Sequence, residues 1–253
     1  MTAESVYEAE VLELQIYTDE KLRVVYSTSS FEPDSLRSLL ILDSSFNPPT
    51  FAHLGLINSA IKLNSTAEVL LLLAIQNADK PVMPAMMKQR LSMMEKFSHD
   101  VPARVMNAIT TCPRFVDKAN AVASRFGEVE QIYVVGYDTL IRLLDHKYYP
   151  GQALEQALGG FMAMCKIVCF IRDSSQYGTA ENQTMYVERI RQGRIDGVPS
   201  AWADRISLMS YADHGLSTVS STAVRQACRT NEPLHDMVPN GVAEYIRTNK
   251  LYK

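Results

Sequence analysis

Short apolar runs alternate with segments of helical period along this chain, and this alternation constrains the fold more than any other feature. The runs typical of strands are residues 39–42, 69–74, 132–136, 166–171 and 206–209. Between them, apolar residues recur every three or four positions in residues 53–63, 84–97 and 113–126, as in helices that pack one face on a core. Strands that alternate with helices of about 10–15 residues predict an α/β fold, with a mainly parallel sheet and helices on both faces.

The domain organisation predicted from the sequence is simple. A chain of 253 residues can bury one sizeable core, and we see no internal repeat or long linker that divides it. We therefore assign residues 36–253 to one domain. Residues 1–35 alternate poorly and precede the first convincing strand, so we interpret them as an N-terminal extension packed on the core. Residues 172–204 are the most polar stretch of the chain.

Charge and composition exclude several classes of partner. The formal net charge of −3 provides no broad basic surface for nucleic acid or anionic membranes. No apolar run approaches the roughly 20 residues needed to span a bilayer, and the acidic N-terminus lacks a signal-peptide core. The four cysteines form no recognisable disulfide or metal framework, which fits a reducing compartment. We expect a cytoplasmic protein, with the nucleus left open, that binds no nucleic acid, membrane or resident metal; its oligomeric state stays open.

The segment DSSFNPPTFAHLG, residues 43–55, leaves the first predicted strand through an unusual turn. Proline fixes φ and biases its predecessor away from helix, so Asn47-Pro48-Pro49 stiffens the turn before a helix that begins near Thr50. Unpaired N–H groups at a helix start form a site for anions. Thr50 and His53 share one face of that first turn, so both could meet one phosphate. The alternative is that Thr50 only caps the helix and His53 is satisfied within the fold.

A second polar segment opens a later helix. Ser220, Ser221 and Thr222 precede an amphipathic stretch, and Arg225 follows Ser221 by four positions, on the same helix face. Serine hydroxyls, helix-start amides and an arginine fork together suit an oligophosphate. The alternative is a helix cap followed by a solvated arginine.

A third segment, Gly136-Tyr137-Asp138, follows a predicted strand. In parallel sheets, ligands bind beyond the carboxyl ends of the strands. A glycine there permits close approach of the backbone, and an acid can accept hydrogen bonds from ribose hydroxyls. The alternative is that Asp138 only caps a helix.

These three segments, in this order, resemble the nucleotidylyltransferases, which carry TxxH and SSTxxR signatures. The variant Thr50-Phe51-Ala52-His53 is similar to the eukaryotic nicotinamide mononucleotide adenylyltransferases. The closing stretch MVPNGVAEYIRTNKLY, residues 237–252, resembles that family's V-P-x-x-V-x-x-Y-I-x-x-x-x-L-Y. Ser44 departs from the family, which usually has glycine at that position, so the chain looks like a divergent branch.

The resemblance implies a Rossmann-like fold and an enzyme that joins nicotinamide mononucleotide to AMP from ATP, giving NAD and pyrophosphate. The nicotinic acid form is a second substrate to consider. Backbone contacts to the nucleotide would come from Ser45 and Phe46, and contacts to ribose or adenosine from Gly136 and Asp138. The side chains implied at the ATP phosphates are Thr50, His53, Ser220, Ser221, Thr222 and Arg225, of which Thr50, His53 and Arg225 would be catalytic.

Two further positions and one ion complete what the resemblance implies. Lys80 is similar in position to a phosphate-binding lysine, and Trp202 is a candidate to stack on the pyridine ring. Magnesium would accompany ATP as the co-substrate. Two other functions stay open: a nucleotidylyltransferase for another phosphorylated substrate, and an ATP-binding adaptor or weak ATPase that keeps the fold without the transfer.

Overall fold

The computed structural model describes residues 2–17, 19–30, 36–75, 86–171, 176–210 and 219–253. Seven strands form one sheet in the order β1-β4-β3-β2-β5-β6-β7. All neighbours pair in parallel except β1, which pairs antiparallel with β4 at the edge. The strands are β1 (Leu22–Ser27), β2 (Ser38–Asp43), β3 (Glu68–Ala74), β4 (Val105–Thr110), β5 (Glu130–Gly136), β6 (Cys165–Ile171) and β7 (Ile206–Ser210).

Helices cover both faces of this sheet, which confirms the predicted α/β class. One core lies under α1 (Ala3–Ile16), α2 (Phe51–Ile61), α3 (Met87–Ser98), α8 (Ser221–Thr230) and α9 (Asn240–Thr248). The other core lies under α4 (Phe115–Phe126), α5 (Tyr137–Leu143), α6 (Leu154–Met164) and α7 (Ala180–Arg191).

The continuous apolar runs of the strands follow from this burial on two sides. In β2, Leu39 and Ile41 belong to one core, whereas Leu40 and Leu42 belong to the other. Successive side chains of a strand point to opposite faces, so a strand between two helix layers needs an apolar residue at every position. This requirement explains why β2, β3, β5 and β6 were predicted from the sequence. The edge strand β7 was predicted from Ile206, Leu208 and Met209, although Ser207 within it is exposed.

The chain reverses its direction of travel across the sheet between β2 and β5. From β2 it proceeds outward through β3 to β4, and from β5 it proceeds outward on the other side through β6 to β7. A crevice forms beyond the carboxyl ends of the strands at such a reversal, and ligands bind there in open α/β sheets. Asp43 ends β2 and Gly136 ends β5, so the segments that follow them lie at this crevice.

Two strands were not predicted. In β4 the buried Asn107 interrupts the apolar run, and its amide oxygen accepts a hydrogen bond from Ser98, 2.9 Å away. The edge strand β1 carries polar residues such as Arg23, so it lacks the pattern of a strand buried on both faces. Before it, α1 packs on α3, where the Tyr7 hydroxyl donates to Glu95 at 2.6 Å.

Candidate active site

Thr50 and His53 lie in contact at the beginning of α2, in the loop that leaves β2. The backbone N–H of Thr50 donates to Nδ1 of His53 at 3.0 Å, and the Thr50 hydroxyl oxygen lies 2.8 Å from the same nitrogen. On the other side of the ring, Nε2 lies 3.0 Å from Oγ of Ser44. The ring of Phe46 packs against the imidazole, with 5.4 Å between ring centroids. His53 is therefore fixed at both nitrogens and on one ring face.

These contacts determine the protonation of His53. A backbone N–H can only donate, so Nδ1 must be an acceptor and the proton of the neutral ring lies on Nε2. Burial lowers the pKa of His53 to about 4, because desolvation disfavours the charged form. Near neutral pH the imidazole is therefore uncharged and carries one N–H, on Nε2.

The two predicted helix beginnings meet at this loop. The Ser221 hydroxyl donates to the carbonyl of Pro48 at 2.7 Å, and an Nη of Arg225 donates to the carbonyl of Asn47 at 2.8 Å. These residues are 173 and 178 positions apart in the sequence. The predicted approach of the two motifs is thus confirmed.

A buried cation that the sequence analysis missed supports the loop from beneath. Arg90 of α3 is only 1% exposed, and its Nη1 donates to the Ser45 carbonyl at 3.0 Å. Burial lowers the pKa of this guanidinium to about 10, and Nε has no partner among the described residues. The signal was visible, because Arg90 lies on the apolar stripe formed by Met87, Leu91 and Met94. A charge on such a stripe requires a specific partner.

The hydrogen bonds of the loop engage its carbonyls and leave two of its N–H groups without an acceptor. Its carbonyls at Ser45, Asn47 and Pro48 accept from Arg90, Arg225 and Ser221. By contrast, the N–H groups of Ser45 and Phe46 have no acceptor in the described part of the chain. Phe46 has a φ of 44°, a left-handed conformation that is uncommon for residues other than glycine and is often found at functional sites. The loop thus leaves donors without partners.

The closing segment of the chain completes the support. The Tyr252 hydroxyl donates to Oδ1 of Asn47 at 2.8 Å, and both side chains are buried. The Met237 carbonyl accepts from the N–H of Phe51, the first residue of α2, at 3.0 Å. The motif in residues 237–252 therefore contacts the same loop as the SSTxxR segment.

Gly136 and Asp138 lie at the end of β5, beside β2 in the sheet. Gly136 precedes the first turn of α5, and a Cβ placed on it would lie 2.8 Å from Oδ1 of Asp138. Asp138 accepts from an Nη of Arg142 at 2.8 Å and is about half exposed. The pair is placed at the crevice, and its contact with ribose stays a prediction.

The remaining hydroxyls of the SSTxxR segment have local partners. Ser220 is the N-cap of α8 and accepts from the N–H of Ala223 at 3.1 Å, as in the capping interpretation. Thr222 is exposed, and its hydroxyl accepts from Arg225 at 3.1 Å. Arg225 has five N–H donors, so several stay available for a ligand.

Two predicted substrate contacts, Lys80 and Trp202, stay predictions. Lys80 falls outside the described residues, as does the predicted helix start at residue 84. Trp202 lies in a short 3-10 helix, Ser200–Arg205, that packs against α7, and its side chain is buried in the core of that face. Stacking of this indole on a pyridine ring stays a prediction.

The acidic residue nearest the loop already has a partner. Asp43 forms an ion pair of 2.5 Å with Lys118 of α4, and these side chains are 11% and 5% exposed. Within the described ranges, no group of three or more His, Cys, Asp or Glu residues is arranged to hold a metal. Over the same ranges, no helix has the length and apolar character needed to cross a membrane.

The strand order, with its reversal between β2 and β5, places this protein among the α/β proteins of Rossmann type. In that class the crevice at the reversal is where nucleotides bind. A family model described as cytidylyltransferase-like matches residues 41–227. The chain belongs to this family, which confirms the resemblance to nucleotidylyltransferases that the motifs predicted.

Individual relatives agree with this assignment. A Schizosaccharomyces pombe protein with the provisional name nicotinamide mononucleotide adenylyltransferase is 38% identical over 222 residues, 86% of this chain and 87% of the relative. A Clostridium acetobutylicum protein provisionally named nicotinate-nucleotide adenylyltransferase is 25% identical over 125 residues, 49% of this chain and 51% of the relative.

Solved structures share the fold. The Plasmodium falciparum nicotinic acid mononucleotide adenylyltransferase, in complexes with NaAD and with APC, superposes with TM-scores of 0.59 and 0.60 at 13% identity. Each match covers 85% of this chain and 97% of the other. At this identity the likeness concerns the architecture alone.

Proposed function

We propose that this protein is an adenylyltransferase that joins a pyridine mononucleotide to AMP from ATP and releases pyrophosphate. The single observation that carries the proposal is the junction of the TxxH and SSTxxR segments, where Ser221 and Arg225 donate to the loop before α2. The names of the relatives from S. pombe and C. acetobutylicum favour the amide and the acid mononucleotide respectively, so both are candidate substrates.

In the proposed reaction, an oxygen of the mononucleotide 5′-phosphate attacks the α-phosphorus of ATP. A new P–O bond forms, the bond to the β-phosphate breaks, and pyrophosphate leaves with the electron pair. The second ionisation of a phosphate ester lies near pH 6, so the nucleophile needs no strong base. Catalysis then depends on positioning, which contributes about 7–11 kcal/mol, and on donors aimed at the charge that develops.

The chain offers donors for both tasks. The unpartnered N–H groups of Ser45 and Phe46, with the beginning of α2, suit the ATP phosphates. The spare N–H groups of Arg225 and the beginning of α8 suit the leaving pyrophosphate. Because His53 is uncharged, the fixed positive charge comes from Arg225 and the buried Arg90.

We propose that magnesium enters as its complex with ATP. Mg²⁺ usually keeps several waters and is bound through substrate phosphates with one or two carboxylates. The nearby Asp43 is engaged by Lys118, which fits an ion that the triphosphate carries. The cytoplasm is our proposed compartment, in agreement with four cysteines that are all free and buried.

The test is an incubation of the purified protein with ATP, magnesium and one phosphorylated substrate at a time. We expect the dinucleotide and an equal amount of pyrophosphate with nicotinamide or nicotinic acid mononucleotide. Product only with phosphopantetheine, phosphocholine or glycerol phosphate would assign another substrate. ATP binding without any transfer would instead identify the adaptor.

A matched pair of variants on α8 tests the assignment of the site. Arg225→Ala should lower the rate about 100-fold or more, as loss of a preorganised donor does. Arg229 lies one turn further along and is exposed, so Arg229→Ala should keep the rate. Equal rates in the two variants would contradict the role of Arg225.

A further inference from the structure

Ser44 has a contact that its place in the motif does not require. Its Oγ lies 3.0 Å from Nε2 of His53. Nδ1 of the ring accepts from the N–H of Thr50, so the one proton of the neutral imidazole is on Nε2. The hydrogen bond therefore runs from His53 to the hydroxyl oxygen of Ser44.

Because the Nε2–H of His53 is directed at Ser44, the ring has no further N–H to donate. The only N–H of the uncharged ring is engaged by Ser44, and Nδ1 is occupied by Thr50. In this arrangement the imidazole has no proton to offer a phosphate directly.

Ser44, in contrast, keeps a donor. A hydroxyl has one O–H and two acceptor lone pairs, and the contact with His53 uses one of the lone pairs. No acceptor for the Ser44 O–H is present among the described residues. The half-buried hydroxyl comes directly before Ser45 and Phe46, whose N–H groups also have no acceptor in that part of the chain. Ser44 and Ser45, which are both partly exposed, thus offer unused donors side by side, whereas Phe46 is buried.

We propose that Ser44 itself binds a nucleotide phosphate, donating its O–H to a phosphate oxygen while it accepts the N–H of His53. His53 is then a positioning residue that acts through Ser44, and Thr50 holds the imidazole from the other side. This inference rests on the proposed function, since it names a further contact in the same site. The phosphate belongs either to ATP or to the mononucleotide, and separate binding measurements distinguish the two.

The decisive experiment is a double-mutant cycle on the full chain with Ser44→Ala, His53→Ala and the combined variant. Calorimetry measures the affinity for a non-hydrolysable ATP analogue and, separately, for nicotinamide mononucleotide. We expect each single change to weaken one of these ligands about tenfold, as loss of a hydrogen bond to a charged group does. Because the residues act in series, the double variant should bind about as weakly as either single variant.

Other outcomes overturn the proposal. If the two losses multiply in the double variant, His53 contacts the phosphate independently of Ser44. Affinities of Ser44→Ala within about twofold of the unaltered protein for both ligands would exclude the contact. The matched control is Ser65→Ala, which removes an exposed hydroxyl from the turn between α2 and β3 and should change neither affinity.

A ligand-free measurement separates this proposal from the proposed function. Nitrogen-15 NMR of the His53 ring should show a protonated Nε2 in the unaltered protein and in Ser44→Thr, which keeps the hydroxyl. In Ser44→Ala the same proton should exchange faster with water, because its acceptor is gone. If dinucleotide forms normally but Ser44→Ala does not affect the exchange of this proton, the proposal fails and the proposed function stands. If the exchange and the affinity for the ATP analogue change as expected but no dinucleotide forms, the proposed function fails and the Ser44 contact stands.

Discussion

The hydroxyl of Tyr252 donates to Oδ1 of Asn47 at 2.8 Å, across 205 positions of sequence. Asn47 is 3% exposed and Tyr252 is 8% exposed, so the bond is shielded from water. Asn47 also gives its carbonyl to Arg225. The closing motif of the chain therefore fixes the residue that joins the TxxH and SSTxxR segments, which explains in physical terms why these motifs occur together.

We expect Tyr252→Phe to destabilise the protein and to weaken ATP binding. The change leaves a buried amide oxygen without its donor, which costs about 1–3 kcal/mol in free energy of unfolding. Urea unfolding and calorimetry measure the two effects. Tyr245→Phe is the matched control, because its hydroxyl bonds to Glu4 on α1, and it should lower stability without changing the affinity for ATP. A loss of affinity in both variants would argue against a specific role of Tyr252.

Arg90→Met should separate stability from anion binding. The substitution removes a buried charge that has no carboxylate within ion-pair distance among the described residues, so relief of desolvation offsets the loss of the bond to Ser45. We expect the free energy of unfolding to change by less than about 2 kcal/mol, while ATP affinity falls about tenfold. Arg104→Met, which removes an exposed partner of Glu68, should leave that affinity unchanged. Unaltered ATP affinity in Arg90→Met would show that the guanidinium only fills space.

Lys118→Met should be among the most destabilising changes near the site. It leaves the carboxylate of Asp43 almost buried and unpaired, and breaking such a pair costs about 3–5 kcal/mol. Lys166→Met is the control, since Lys166 is 53% and Glu130 37% exposed and pairs near the surface contribute less than about 1 kcal/mol. Addition of Asp43→Leu to Lys118→Met should recover part of the loss. Chemical unfolding of all variants measures the difference. Equal losses of unfolding free energy in the two lysine variants would contradict this prediction.

His53 should make stability depend on pH in a predictable direction. Its pKa is about 4 in the folded protein, below the value of about 6.5 in an unfolded chain. Between these values the unfolded state binds a proton that the folded state does not, so the contribution to stability is present above about pH 6.5 and is lost as pH falls toward 4. Since the ring keeps some contact with solvent, we expect a loss of about 1–2 kcal/mol between about pH 7.5 and pH 5.

The comparison for this prediction is His53→Gln, which keeps a polar side chain without a titrating ring. The variant should lose about 1–2 kcal/mol less than the unaltered protein between the same two pH values. All other groups titrate in both proteins and cancel in the difference. Parallel stability curves for the two proteins would show that His53 has an ordinary pKa.

The sequence predicted those parts of the fold that depend on local pattern. The inner strands β2, β3, β5 and β6 were predicted because burial on two faces demands an apolar residue at nearly every position. The edge strand β7 was predicted because Ile206, Leu208 and Met209 of its short run are apolar. β4 was missed because the buried Asn107 interrupts its apolar run; the amide oxygen of Asn107 accepts from Ser98, a contact that local periodicity does not reveal. β1 was missed because it is only partly buried and carries polar residues such as Arg23, so it has no run that reads as a strand buried on both faces.

The same distinction applies to the candidate site. Thr50, His53, Ser221 and Arg225 were predicted because hydroxyls, an imidazole and a guanidinium at helix beginnings have a chemical reason to be there. Arg90 was missed, although its place on the apolar stripe of α3 signals a buried charge; only its partner, the Ser45 carbonyl, has no local signal in the sequence. Tyr252 marked the family in the sequence, but its bond to Asn47 spans almost the whole chain and has no local signal.

The loop before α2 accepts hydrogen bonds from the side chains of Arg90, Ser221, Arg225 and Tyr252. These donors are 45, 173, 178 and 205 sequence positions from the loop residues that they contact. Contacts of such long range form only when most of the chain has assembled, so partially folded forms would lack this arrangement of the loop. A nucleotide held there would thus select the complete native state and, at a hundred times its dissociation constant, shift the unfolding equilibrium by about 2.7 kcal/mol. The supply of nucleotide in the cell would then influence how long each copy of the protein survives.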